Sequence, residues 1–129
     1  TYQDKEYKAA VVSGLANAEK LIQQIRKADP AIDILLVSPI ELGEDVWKPG
    51  FDLEFDQHSV KVSKQLKQTY LKIAWKYGCD FLAASDVATP SKADMEHMNE
   101  DGHKNLAKAI ESFLVEKERN HSNNYVNVV

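Results

Sequence analysis

Residues 31–50, "AIDILLVSPIELGEDVWKPG", decide the fold, because an apolar run ends here in a long segment of turn-forming residues. Ile34, Leu35, Leu36 and Val37 follow one another with no polar alternation. Successive side chains of a strand face opposite sides, so such a run needs cover on both faces. The strand expected over residues 32–37 therefore belongs to a parallel sheet with helices on each side.

Working outward, Tyr7, Val11, Leu15, Ala18, Leu21, Ile22 and Ile25 recur at three- and four-residue spacing. That period is one buried face of a helix, expected over residues 5–28 and stopped by Asp29 and Pro30. On the other side, residues 39–59 hold Gly43, Pro49 and Gly50 and carry no sustained helical period. Loops of this length are uncommon inside a domain and are often functional. A second helix is expected over residues 59–77, with Ser59 as its cap, Val62, Leu66, Tyr70, Ile73 and Tyr77 inward, and Gly78 as a left-handed stop. A short apolar strand over residues 79–84 follows, then a polar loop over residues 85–98. Asn99 caps the last helix, where Glu100 and Asp101 complement the positive end of the dipole. Its apolar stripe is Leu106, Ala107, Ile110, Phe113 and Leu114. Residues 1–117 thus form the ordered domain portion. Residues 118–129 read as a polar, flexible tail, in which Tyr125, Val126, Val128 and Val129 offer docking points.

The order helix, strand, helix, strand, helix is that of an α/β chain built on parallel crossovers. Two strands are too few for three amphipathic helices, since doubly wound sheets of this kind have about five. The expected architecture is therefore the C-terminal part of a three-layer α/β/α fold. Its remaining strands come from a preceding segment or from another copy, and an unpaired parallel edge favours self-association.

Composition narrows the function classes. The chain has 129 residues, 43% of them hydrophobic, which suits one globular domain. No apolar run approaches the roughly 20 residues of a membrane span, and residues 1–4 have no signal-peptide character. The single cysteine, Cys79, reads as a small core residue, and a reducing, cytoplasmic compartment is expected. A net charge of −4 argues against a nucleic-acid partner. Lys61, Lys64, Lys67, Lys72 and Lys76 recur around one helix and read as its solvated face. Tyr70 and Trp75 on the same helix read as packing residues.

The chemistry-bearing feature is Asp94-Met95-Glu96-His97, which follows the second strand at the carboxyl edge of the sheet, where open α/β folds place their sites. A carboxylate three residues ahead of an imidazole can hold one ring nitrogen and leave the other as a base. The same spacing also fits a histidine that only pins a polar turn. A metal site built from Asp94, His97, Asp101 and His103 is disfavoured, because His97 and His103 lack the four-residue spacing that shares a helix face. Trp47, Phe51 and Phe55 in the long loop fit either an acyl pocket or apolar plugs that seat the loop.

Taken together, strand, polar loop, Asp-x-x-His and "MNEDGHKNLAKAI" (98–110) resemble the C-terminal block of the SGNH, or GDSL-type, esterases and acylhydrolases. "LIQQIRKADPAIDILLVSPIELG" (21–43) is similar to that family's helix, Pro-containing turn and strand ending in Ser-Pro. "FDQHSVKVSKQLKQTYLKIAWKYGCDFLAASDV" (55–87) resembles the preceding helix and strand of its arylesterase-like branch. The likeness covers residues 7–114. It implies that His97 is the general base and Asp94 its orienting carboxylate, acting on a small carboxylic ester with no cofactor or metal. The family's Gly-Asp-Ser nucleophile motif and its oxyanion-hole Gly and Asn blocks do not occur in the sequence. The expectation is a C-terminal portion, inactive alone, whose serine lies in an N-terminal segment. Ser85 and Ser91 read as loop hydroxyls, and Ser38 as structural. The alternative is a non-catalytic interaction module that keeps this half of the fold.

Overall fold

The structure is a computed structural model that describes the backbone of residues 2–128 and the side chains of residues 12–120. Its elements run α1 (Tyr2–Ala28), β1 (Leu35–Ser38), α2 (Gln57–Tyr77), β2 (Asp80–Ala83), a 3-10 turn (Ala84–Asp86) and α3 (Glu100–Val128). Strands β1 and β2 pair in parallel, with Leu35 opposite Asp80 and Ser38 opposite Ala83. The chain is thus a mixed α/β unit in which three helices accompany a two-stranded parallel sheet.

Parallel strands need a crossover, and α2 supplies it while packing on both of them. Its start differs from the expected one. Asp56 is the N-cap: Asp56 Oδ1 accepts from the Ser59 amide at 2.8 Å, while Ser59 Oγ accepts from the Asp56 amide at 3.2 Å. Ser59 is therefore the third helical residue of a reciprocal capping box, not the cap itself. The other end follows the expectation, since Gly78 adopts φ 64° and its amide closes on Trp75. An L side chain there would bring Cβ against the following carbonyl, which favours glycine.

The buried stripe of α2 is Ser59, Val60, Ser63, Ile73 and Ala74. Small residues on this stripe let the helix approach a narrow sheet closely. Val62, Leu66, Tyr70 and Tyr77 are half-buried, and Trp75, expected to pack, is 79% exposed. On α1, Ile22 is buried and Leu15, Ala18 and Ile25 are half-buried, whereas Leu21 is exposed. The side chains of Tyr7 and Val11 lie outside the described residues. Polar bonds fix α1 on the end of α2: Arg26 donates to the Tyr77 and Gly78 carbonyls, and the Tyr77 hydroxyl donates to Glu19 at 2.6 Å.

Lys61, Lys64, Lys72 and Lys76 of the expected solvated face are exposed, and three lysines of that face hold surface ion pairs, Lys64 with Glu44, Lys67 with Asp86 and Lys76 with Glu19. Helix α3 begins as expected, the Asn99 side chain accepting from the Gly102 amide at 2.9 Å. It runs through Val128 instead of ending at Lys117, and the side chains of Tyr125, Val126, Val128 and Val129 lie outside the described residues. Lys117 ties α3 to Asp80 at the head of β2.

Cover on both faces of β1 is incomplete within the described residues. Leu35, Leu36 and Val37 are half-buried, as are Asp80, Phe81 and Leu82 of β2, and Ile32 lies outside the strand, exposed. Half of the buried apolar side chains are alanines, Ala74, Ala83, Ala84 and Ala88, beside Val46, Val60, Ile22 and Ile73. Fully burying a Leu or Phe is worth about 1.5–3 kcal/mol, so these strands retain unspent packing surface.

Candidate active site

Because the strands are parallel, the loops that follow β1 and β2 leave the same edge of the sheet. The loop after β1 turns over itself: the Val46 amide donates to the Gly43 carbonyl and the Asp52 amide to the Val46 carbonyl. Val46, at 0% exposure, is its apolar anchor. Helix α2 holds the same loop through Ser63, whose hydroxyl accepts from the Leu42 amide at 3.0 Å and donates to the Val60 carbonyl.

The loop after β2 closes into a ring. Its base is an isolated antiparallel bridge between Pro90 and Met98, reinforced by the Ser91 amide donating to the His97 carbonyl at 2.7 Å. The Met95 amide returns to the Ser91 carbonyl, and Ser91 Oγ accepts from the Ala93 amide. Inside this ring Asp94 Oδ1 accepts from the amides of Glu96 (2.9 Å) and His97 (3.0 Å). A short carboxylate that takes up nearby amides is what makes Asp effective in tight turns.

The second carboxylate oxygen, Asp94 Oδ2, lies 2.8 Å from His97 Nδ1. The backbone amides of Glu96 and His97, followed by the His97 ring, hold the Asp94 carboxyl down to about 2. In turn the Asp94 carboxylate raises the imidazole above its ordinary value, by the hydrogen bond first and by charge second. An ionised acceptor at Nδ1 selects the tautomer that carries its proton there and leaves Nε2 basic. The His97 side chain is 80% exposed, and among the described residues Nε2 has no hydrogen-bond partner. The arrangement is an oriented base facing solvent at the carboxyl edge of a parallel sheet.

The two expected site residues are thus brought together. The candidate serines are not joined to them: Ser91 Oγ is committed to its own turn, and neither Ser85 nor Ser91 bonds to the His97 ring. Ser38 at the end of β1 is fully buried, and its hydroxyl has no partner among the described residues. Trp47 donates to the Glu44 carbonyl and lines a polar cleft of about 360 Å³ with Glu44, Lys61 and Lys64, which neither Asp94 nor His97 reaches. Phe51 and Phe55 are half-buried. Beside the ring, the Glu96 carboxyl is pushed up by burial and then by the Asp52 carboxylate. No group of three or more His, Cys, Asp or Glu side chains converges among the described residues. Nor, among them, is any helix long and apolar enough to cross a membrane.

Sequence reasoning missed Gly43 as part of this site. Its amide donates to the Met95 carbonyl at 2.8 Å, joining the two loops beneath the Asp94–His97 pair. No local pattern announces a contact between positions so far apart in the chain.

No protein-family model matches the chain, and no curated protein matches it. A solved crystal structure is similar to it, with 32% identity and a TM-score of 0.70 over 80% of this chain and 49% of that one. The chain spans about half the length of that structure.

Proposed function

We propose that this chain carries the acid–base half of a serine esterase of the SGNH type, within a three-layer α/β/α fold completed by a preceding segment. The observation that supports the reading is the Asp94 Oδ2 to His97 Nδ1 contact of 2.8 Å on an exposed ring at the sheet's carboxyl edge. A serine outside these residues attacks the carbonyl of a small carboxylic ester, and its proton passes to His97 Nε2. Asp94, whose carboxyl stays ionised, stabilises the imidazolium through Nδ1–H. As the tetrahedral intermediate collapses, Nε2 returns the proton to the departing alkoxide. Water, or a second alcohol, then repeats the sequence on the acyl-serine. The scheme uses no metal or organic cofactor.

Two further observations are consistent with a preceding segment. The half-covered strands have surface for more neighbours, and the match takes in only 49% of the similar solved chain. The exposed Trp75 and Leu21 favour a second reading, a non-catalytic module that associates with itself or a partner through such surfaces. One assay separates the two. Hydrolysis of a small aryl acetate is measured for the chain alone and for the chain joined to an SGNH N-terminal segment bearing Gly-Asp-Ser. The esterase reading expects turnover only in the joined protein, abolished by His97→Ala. Turnover that survives His97→Ala removes the assignment, and turnover by the chain alone refutes the need for an outside serine.

A further inference from the structure

We propose that Gly43 is the positioning residue of the Asp94–His97 relay, a bare backbone ledge on which the turn carrying the base is seated. The inference rests on reading that pair as the relay, and it adds the long loop after β1 to the machinery.

Met95 lies between the two relay residues and has φ 62°, the one non-glycine residue with positive φ among those described. A methionine in the left-handed region is held there by its surroundings, since its own Cβ opposes that conformation. This turn allows Asp94 Oδ1 to reach the amides of both Glu96 and His97 while Oδ2 faces the imidazole. What holds Met95 from below is Gly43, whose amide donates to the Met95 carbonyl at 2.8 Å.

The fit requires a residue with no side chain. A Cβ on Gly43 would stand 2.4 Å from Met95 Sδ, 2.8 Å from its Cβ and 3.1 Å from its Cγ. The thioether end is able to swing away, but the contact with Met95 Cβ moves only if the backbone of the relay turn moves. Gly43 is absent from the residues with positive φ, so space, not backbone freedom, calls for glycine here. The ledge is itself braced. Leu42 is bonded to Ser63 of α2, Glu44 is paired with Lys64 of α2, and Val46 is buried and bonded to the Gly43 carbonyl. Position is thus relayed from the crossover helix, through residues 42–46, to Met95 and so to the carboxylate and imidazole.

The test is an NMR titration of the His97 ring in the chain as it stands, in the wild type and in Gly43→Ala, Met95→Gly and the double variant. Met95→Gly removes the Met95 Sδ, Cβ and Cγ that a Cβ at position 43 would meet, and glycine accepts φ 62° without strain. The groups facing the ring are Asp94 and Glu96, and both are unchanged in all four proteins. The expected result is a raised His97 pKa in the wild type and in Met95→Gly, a return toward the ordinary histidine value of 6.5 in Gly43→Ala, and restoration in the double variant. A merely structural role for Gly43 lowers stability without moving this titration. An unchanged titration in Gly43→Ala overturns the proposal. If Gly43→Ala does not fold, the double variant carries the test: it must fold and show the raised value, and failure in either respect overturns it. No turnover enters the readout, so the result stands apart from the success or failure of the esterase reading.

Discussion

Asp94→Asn isolates the hydrogen bond that orients the His97 ring. The amide oxygen can take the place of Oδ1 and still accept from the Glu96 and His97 amides, so the turn is retained. The amide NH2 then occupies the place of Oδ2, 2.8 Å from Nδ1, where a donor now meets the ring nitrogen. Two donors cannot share one bond, so His97 turns to the tautomer with its proton on Nε2, the atom that must be free to accept. Loss of the correct tautomer in a serine triad costs about 10⁴-fold in kcat. That is the drop expected for the joined esterase, with KM little changed because Asp94 acts through the His97 ring. In the chain alone, ¹⁵N NMR of the imidazole reads the same event directly: Nδ1–H in the wild type, Nε2–H in Asp94→Asn. The ring's titration should also fall from its raised position, because the carboxylate is the cause of the rise. An unchanged tautomer, or a variant that keeps full turnover, would refute the orientation argument.

Asp56→Ala removes one arm of the α2 capping box and should cost about 1 kcal/mol, read as a lower midpoint in urea with an unchanged slope. Ser59→Ala should have a smaller effect, since Asp56 still accepts from the residue 59 amide. The Asp94–His97 pair also sets a pH window for stability. Asp94 is lowered from 3.8 to about 2, so its contribution is full above about pH 3.8 and is lost as pH falls toward 2. His97 is raised from 6.5, so its contribution is full below that value and is lost as pH rises through the folded pKa. Both groups are well exposed and the effect is correspondingly small. Chemical denaturation across pH 2–8 should show it in the wild type and not in Asp94→Asn.

The parallel pairing of β1 and β2 was legible because Ile34 to Val37 run without polar alternation, although the cover this calls for is only partial among the described residues, and the capping roles of Gly78 and Asn99 were equally local. The start of α2 was misread for an identifiable reason: Asp56 and Ser59 are both good caps three residues apart, and in the reciprocal box each bonds the other's amide. Helical periodicity identified the apolar residues of α1 and α2. It could not say which have a neighbour, and Leu21, one of the periodic residues of α1, remains exposed, as does Trp75 of α2. The extent of α3 was hidden by the Asn-rich composition of residues 120–127, since propensity is a weak prior against a helix already propagating. The contact between Asp94 and His97 was legible from their three-residue spacing. Gly43 was not, because its role lies in a backbone contact with Met95 that only the folded chain creates. Nor did the sequence indicate that the Ser38 hydroxyl, at the carboxyl end of β1, is fully enclosed without a partner among the described residues.

The central claim is that His97 serves a hydroxyl supplied from outside these residues, and covalent labelling tests it most directly. The joined protein is treated with a fluorophosphonate, which forms a stable adduct only with an activated serine, and the modified peptide is located by mass spectrometry. The account predicts a single adduct on the Gly-Asp-Ser serine of the added segment, formed far more slowly after His97→Ala. An adduct on Ser38, Ser85 or Ser91, or a labelling rate indifferent to His97→Ala, would contradict it.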